Sequence, residues 1–334
     1  KIPVHPQNIV AKAAAAFACS RTTVHRHLNR LVRDGKIIKS GTTRQAKYFL
    51  KTEKNKKFQI PLEPGIAEDE VWKENFLQDF ETLSKNILEI CEYGFLEMLN
   101  NAIDHSEGTG VVIKTIWASD SVTIAIRDNG IGIFRKIKNA LELDNERESI
   151  LDLSKGKFTT DQENHTGEGI FFTSRAFDIF HIVSRGISYI RTNWDEDWFV
   201  ETMKDENVPG TGLIMKIALD SKRKMQKVFE EFVEENPEGM PKFDRTHILV
   251  QLSQLGDERY VSRSQARRIC LGLEKFKHVV LDFKDISTVG QGFVDEVFRV
   301  FQSKHPGIKI TYTNANDDVR FMIERSLPAL EEEK

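Results

Sequence analysis

Cysteine is scarce in this chain: Cys19, Cys91 and Cys270 are the only three in 334 residues, and they lie far apart. No pair has the C-x-x-C spacing that a zinc site or a redox motif needs, so both classes are excluded and the thiols read as reduced and buried, in a cytoplasmic protein. Long apolar runs are absent too. With no stretch of about 18 consecutive apolar residues and no charged-then-apolar leader, neither a membrane span nor a secretion signal is expected. A Gly-x-x-x-x-Gly-Lys-Ser/Thr run is also missing, which removes the P-loop class of nucleotide-binding proteins. Convincing internal repeats are lacking. What remains is 40% hydrophobic and 30% charged, ordinary for a globular protein and long enough, at roughly 100–200 residues per domain, for two or three domains.

The net charge of -3 conceals a strong asymmetry. Residues 1–60 hold fourteen Lys or Arg against Asp34 and Glu53, a net +12, so the rest of the chain carries -15. A segregated positive field attracts polyanions, which makes the N-terminal segment a nucleic-acid candidate before any motif is read.

Within that segment, "NIVAKAAAAFA" (8–18) is Ala-rich with Asn8 as N-cap and favours a helix. Next, "CSRTTVHRHLNRLVRDGKI" offers Ser20 as a second N-cap, Val24, Leu28, Leu31 and Val32 at helical spacing, and Gly35 as a stop. "KIIKSGTTRQAKYFL" reads as two short strands around Ser40-Gly41-Thr42-Thr43. The order helix, turn, helix, basic hairpin over about the first 50 residues resembles the winged helix-turn-helix family of DNA-binding domains. The resemblance implies that Arg21, Thr22, Thr23, His25, Arg26 and Asn29 face base edges, with Lys39, Arg44 and Lys47 on phosphates. The same fold also serves as a docking or dimerisation module, and that alternative stays open.

"KTEKNKKFQIPLEPG" (51–65) has the composition of a linker. A helical zone follows over 68–104, with a break expected near Tyr93-Gly94, and then strands at 110–118 and 121–128. Residues 134–165 read as helix plus loop. "HTGEGIFFTSRAFDIF" turns a glycine-bearing loop into a helix, and three further antiparallel strands are expected in "FHIVSRGISYIRTN", "DWFVETMK" and "GTGLIMKIAL". After a charged helix at 222–236, "PEGMPKFD" interrupts the chain. Strands and helices then alternate to the C-terminus, the pattern of a small, separate α/β domain. The expected fold class is therefore α/β (α+β) and multidomain: 1–58, 66–222 and 240–334.

Three motifs carry chemistry in the central region. In "FLEMLNNAIDHS" (95–106), Phe95, Leu96, Leu99, Ala102 and Ile103 share one helix face, and Glu97, Asn100, Asn101, Asp104 and His105 the other. Taken alone, the polar face is a solvated one. "RDNGIGIF" (127–134) places Asp128 at a strand end, before Gly130 and Gly132, and glycines there allow close backbone approach. "TGEGIFF" (166–172) sets Gly167 and Gly169 ahead of a helix whose free N–H groups suit phosphate.

In this order and spacing, the three motifs resemble the Bergerat-type ATP-binding domain of the GHKL group, shared by gyrase, a class of heat-shock chaperones, sensor histidine kinases and mismatch-repair ATPases. The region covered is about 75–220, an α/β two-layer sandwich. Two cofactors are implied, ATP and Mg²⁺. Residue by residue, the resemblance makes Asn101 the Mg²⁺ ligand and Glu97 the catalytic acid that positions or deprotonates the attacking water or hydroxyl. Asp128 accepts the adenine amino hydrogen, Gly130 and Gly132 let the base approach, and Thr211 holds adenine through its hydroxyl and a water. Gly167, Glu168 and Gly169 wrap the phosphates, flanked by Thr166 and Ile170, with Asp104 and Ile133 completing the set and 134–166 forming the lid. His105 is either a ligand contact, as in the anti-sigma-factor serine kinases that "NAIDHS" is most similar to, or a helix-terminal histidine stabilised by the dipole. Residues 66–94 contain no histidine, so the phosphoacceptor of sensor kinases has no counterpart there.

"HVVLDFKDISTVGQGFVDEVFRVF" resembles the STAS fold of sulfate transporters and anti-sigma antagonists, over about 243–330. The phosphorylatable serine of the antagonists is replaced by Val289-Gly290-Gln291-Gly292, with Ser287 and Thr288 just upstream. A docking or dimerisation module is the plainer reading. Ser262, Arg263 and Arg267 form either a polar patch or an ordinary helix start. The expected function is an ATP-dependent regulator of DNA binding. The alternatives are a protein serine/threonine kinase, or a non-catalytic partner-switch module. Expected partners are DNA, a protein docked on the STAS-like domain, and a second copy of the chain.

Overall fold

The computed structural model describes residues 9–34, 36–40, 46–50, 55–63, 65–157, 167–193, 198–202, 208–235, 241–253 and 260–327. It is a mixed α/β protein, as expected. The N-terminal region contains α1 (Ile9–Ala16), α2 (Arg21–Arg33) and the antiparallel pair β1 (Ile37–Ser40) and β2 (Lys47–Leu50). Helix α2 starts where the Ser20 hydroxyl accepts a bond from the Thr23 N–H at 3.1 Å, so one otherwise unpaired donor of the first turn is satisfied. Ile9, Val24, Leu28, Ile37 and Tyr48 form a core of their own.

The central region is a seven-stranded antiparallel sheet covered by helices. Its elements run β3 (Lys56–Pro61), α3 (Glu68–Asn75), α4 (Leu77–Phe80), α5 (Lys85–His105), β4 (Gly110–Trp117), β5 (Ser121–Asp128), α6 (Ile133–Leu141), α7 (Ser149–Lys155), α8 (Gly169–Ala176), β6 (Ile179–Ser184), β7 (Ile187–Thr192), β8 (Trp198–Thr202), β9 (Thr211–Ala218) and α9 (Met225–Phe232). The strand order is β3-β4-β5-β9-β6-β7-β8. Strands β4 and β5 alternate buried and exposed positions, the pattern of a sheet with one face under a helical layer. Trp72, Phe76, Phe80 and Phe95 fill that layer, with ring centroids of Trp72 and Phe95 4.9 Å apart.

Two expectations are corrected. Residues 56–61, read as linker, are the edge strand β3, and Phe58 pairs with Ile113; its partner lies more than fifty residues away, so local composition hides it. Helix α5 runs unbroken from Lys85 to His105, and the interruptions fall earlier, around Phe76 and residues 81–84. Gly94 does not end it. A Cβ there would overlap the Phe177 ring, so this glycine lets α8 and its following residue pack against α5.

A short antiparallel pair, β10 (Val233–Glu235) and β11 (Pro241–Phe243), leads into the C-terminal region. There β12 (Arg245–Leu249), α10 (Arg263–Cys270), β13 (His278–Asp282), α11 (Gln291–Val294), a π-helical segment Asp295–Phe301, α12 (Gln302–Lys304), β14 (Lys309–Thr313) and α13 (Asp317–Ser326) alternate. The sheet is parallel in the order β12-β13-β14. Helix α10 is shorter than its expected 262–275, because Gly272 takes a positive φ of 77° and a short 3₁₀ turn follows. Ser262 opens α10 with a complete capping box through Gln265, so its role there is that of an N-cap. The central and C-terminal cores form one continuous cluster, distinct from the N-terminal core. Among the described residues, no helix is long and apolar enough to cross a membrane.

Candidate functional site

Helix α5 carries Glu97 and Asn101 one turn apart, both half-buried, and Asp104 exposed. Helix α8 is packed against it. The Glu97 carboxylate occupies the space that a Cβ on Gly169 would take, so the first residue of α8 must be glycine for the acid to lie there. Two of the three motifs therefore meet at a side-chain-to-backbone contact.

The third motif joins at the far end of α5. Asp128 is 6% exposed, and its Oδ1 accepts from the N–H of Gly130 at 2.9 Å and of Thr211 at 3.1 Å. Burial pushes this carboxyl above the ordinary aspartate range, against the opposing pull of those N–H groups. The Thr211 hydroxyl accepts from the N–H of Ile133 at 2.9 Å, tying the start of β9 to the start of α6. Asn129, which sequence reasoning passed over as a turn residue, brackets the same corner. Its Oδ1 accepts from Thr109 N–H at 2.8 Å and Gly110 N–H at 3.1 Å, and its Nδ2 donates to the Thr109 hydroxyl.

The glycines have reasons that differ from those expected. A Cβ on Gly130 would overlap the Ser106 carbonyl, and Ile131 N–H donates to that same oxygen at 2.8 Å. Gly130 thus admits the end of α5, a protein contact. Gly132 has φ +92° and faces Ser184 and Arg185, so a side chain there would be strained as well as crowded. Gly210, which sequence reasoning did not single out, has φ +83° and presses on the backbone at Asp128. The "PGTG" turn was its available signal.

His105 is the last residue of α5; its carbonyl accepts from Lys136 Nζ at 2.8 Å, and that ammonium also reaches Glu107 at 3.1 Å. A cation on a helix C-terminus is favourable. At the start of α8, burial raises the Glu168 carboxyl, opposed by Lys157. Gly167 has φ +73°. Thr166 and residues 158–166 of the expected lid lie outside the described residues, as does Arg44.

The oxygen donors of Glu97, Asn101 and Asp104 suit a hard cation. Among the described residues no group of three or more His, Cys, Asp or Glu could hold a metal. A magnesium ion here would accordingly depend on phosphate and water oxygens for most of its shell, which is how that ion is commonly held.

The residues expected on DNA are remote from this corner. Arg21, Thr22, His25, Arg26 and Asn29 are exposed on α2, Thr23 is half-buried, and Lys39 is exposed on β1. Lys47 lies in β2. In the C-terminal region Arg267 is bound to Glu296 at 2.8 Å, whereas Ser287 and Thr288 are exposed.

Residues 265–320 match the family model of a STAS-like domain of unknown function (DUF4325). The C-terminal region is thus a STAS-like domain, the kind of module that commonly mediates protein partnering. No curated relative matches the chain.

Proposed function

We propose that the chain is a partner-switching regulator whose central region is a GHKL-type Mg-ATP-binding domain, with a winged helix-turn-helix DNA-binding domain before it and the STAS-like domain after it. The observation that carries the reading is the convergence of Glu97 with Gly169, and of Asp128 with Gly130, Ile133 and Thr211. Motifs some 30–115 residues apart in sequence meet at one corner of the sheet, as a site reading requires and a set of unrelated turns does not.

In this reading Asp128 accepts the adenine amino hydrogen in its ionised form, and Thr211 holds its backbone N–H against that carboxylate. Asn101 offers an oxygen to magnesium, and Glu97, one turn earlier, orients the attacking hydroxyl or water and takes its proton. The start of α8 presents backbone N–H groups to phosphate. ATP supplies a transferable, highly charged γ-phosphate.

Coupling to the rest of the chain is supported by α7, on the lid side of the site. Lys155, 2% exposed, pairs with Asp152 at 2.9 Å and donates to the carbonyls of Arg268 and Leu271 at 3.1 and 2.8 Å. Its own carbonyl accepts from the Thr246 hydroxyl at 2.7 Å. A lid that responds to nucleotide would therefore pull on the STAS-like domain. The shift is limited to the difference in nucleotide affinity between the two arrangements.

Mg-ATP titration by calorimetry tests the site: Asn101→Ala should weaken binding and Asn100→Ala should leave it unchanged, and equal losses overturn the assignment. Duplex DNA anisotropy with ATP against ADP tests the coupling, which is refuted by identical affinities. The exposure of Ser287 and Thr288 favours one second reading, a serine/threonine kinase; labelled phosphate on protein, lost in Glu97→Ala, would select it.

A further inference from the structure

A cleft of about 260 Å³ lies between the central sheet and the STAS-like domain. The central region contributes Arg175, Arg191, Arg223 and Lys227, and the C-terminal domain His247 and Asp282. The cleft is separate from the candidate nucleotide site. Arg223 pairs at 3.0 Å with Asp178, whose Oδ2 accepts from Ala218 N–H at the last residue of β9, while Thr211 begins that strand. Seven residues of strand put about 20 Å between the two ends.

The cleft is cationic and built. Lining cations outnumber lining carboxylates, Glu231 and Asp282, by four to two. Arg175 and Arg191 are only 6% and 9% exposed. Carbonyls at the C-terminal end of α8 hold the guanidinium groups in place: Arg175 Nη1 donates to Phe171 at 3.1 Å, Arg191 Nη1 to Ser174 at 2.9 Å and Arg223 Nη1 to Ala176 at 3.1 Å. The Arg175 guanidinium also stacks 3.3 Å over the Phe171 ring. Such anchoring fixes the planes of the forks, which match phosphate oxygens in geometry.

Capping of a helix C-terminus explains one arginine readily, whereas three arginines and a lysine converging on a solvent-filled cleft leave a positive excess with room for a ligand. Asp282 does little to offset it. Burial raises its carboxyl, but bonds from His247, Asn314 and the Lys284 N–H outweigh that and hold it ionised on its own domain. At about 30 Å³ of liquid per water, the volume exceeds what a bare phosphate needs. Val228, Phe232 and Leu249 add an apolar wall for a small organic body.

We infer that this cleft binds a small phosphorylated metabolite, which bridges the central and STAS-like domains and holds them in one arrangement. The inference stands independently of the nucleotide reading. Calorimetric titration of the full chain with ribose 5-phosphate, in EDTA so that no magnesium assists the other site, tests it. Saturable binding is expected, weakened about tenfold in Lys227→Glu, the usual effect of losing one charge-assisted bond. Asn101→Ala should bind like the wild type. The Lys227 side chain is 74% exposed, so the variant should fold, and Lys227→Gln gives the same readout where charge reversal disturbs α9. No binding by the wild type, equal binding by the Lys227 variants, or a loss in Asn101→Ala would each overturn the assignment.

Discussion

The N-terminal region and the central/C-terminal unit solve the problem of stability in opposite ways. The first buries five residues around α1, α2 and one hairpin, leaves most of its basic side chains in water, and belongs to a size class in which a folded domain is marginal. The second runs a single apolar cluster through two sheets. Phe243, just before the parallel sheet, lies 4.6 Å from Phe171 and 5.5 Å from Phe276. Lys157 reaches across to Asp244 at 3.1 Å. The difference teaches that the STAS-like domain is joined to the central region by core packing, whereas the basic N-terminal region keeps a core of its own and its α2 surface exposed.

The hardest test of this contrast is Lys155→Met. Removing one member of a buried ion pair leaves Asp152 uncompensated, so a loss of about 3–5 kcal/mol is expected in the central/C-terminal unit. All four tryptophans, at 72, 117, 194 and 198, lie outside the N-terminal region, so urea unfolding followed by tryptophan fluorescence reports that unit selectively. An unchanged tryptophan midpoint would break the comparison. Leu28→Ala should do the reverse, costing about 3 kcal/mol and exposing the first 50 residues to trypsin while the tryptophan transition stays in place. If both transitions move together, the two cores are coupled. Ser20→Ala removes only the N-cap bond to Thr23, with an expected cost of about 1 kcal/mol, again confined to the N-terminal region.

The smallest effect near neutrality is a pH dependence at Asp128. Its folded-state carboxyl is raised by burial, so the protonated form stabilises the fold. That contribution is complete below the unfolded value of about 3.9 and fades as pH rises through the raised folded value. Nucleotide binding should move oppositely: affinity falls as pH drops through the raised value, because the protonated carboxyl loses an acceptor. Asp128→Asn should flatten both profiles, and a retained pH dependence in nucleotide affinity would assign it to another group.

Much of this molecule is legible locally. The Ser20 cap, the apolar spacing of α2, the long α5 and the alternating C-terminal elements follow from periods of 3.6 and 2 and from side chains that bond their own backbone. Glu97, Asn101, Asp128 and Gly169 stand out by residue type and order. Strand β3 did not, since a Lys-rich edge strand gains its structure from β4 rather than from its own pattern. Asn129 looked like a turn residue because its three hydrogen bonds go to residues twenty positions away. Lys155 sits in a charged run that reads as loop, and nothing in its neighbours signals that it will be 2% exposed.

By itself the sequence determined the segregation of charge toward the N-terminus, the helix and strand periods, and the glycines without which particular backbones could not approach. Tertiary structure alone decided which of those glycines admit protein and which face a pocket. It also decided that Lys155 and Arg175 are buried, and that four cations meet two carboxylates in a cleft between domains. The physical reason is range. Backbone propensity and capping act within a few residues, whereas burial, desolvation and charge convergence depend on partners brought from up to about a hundred residues away.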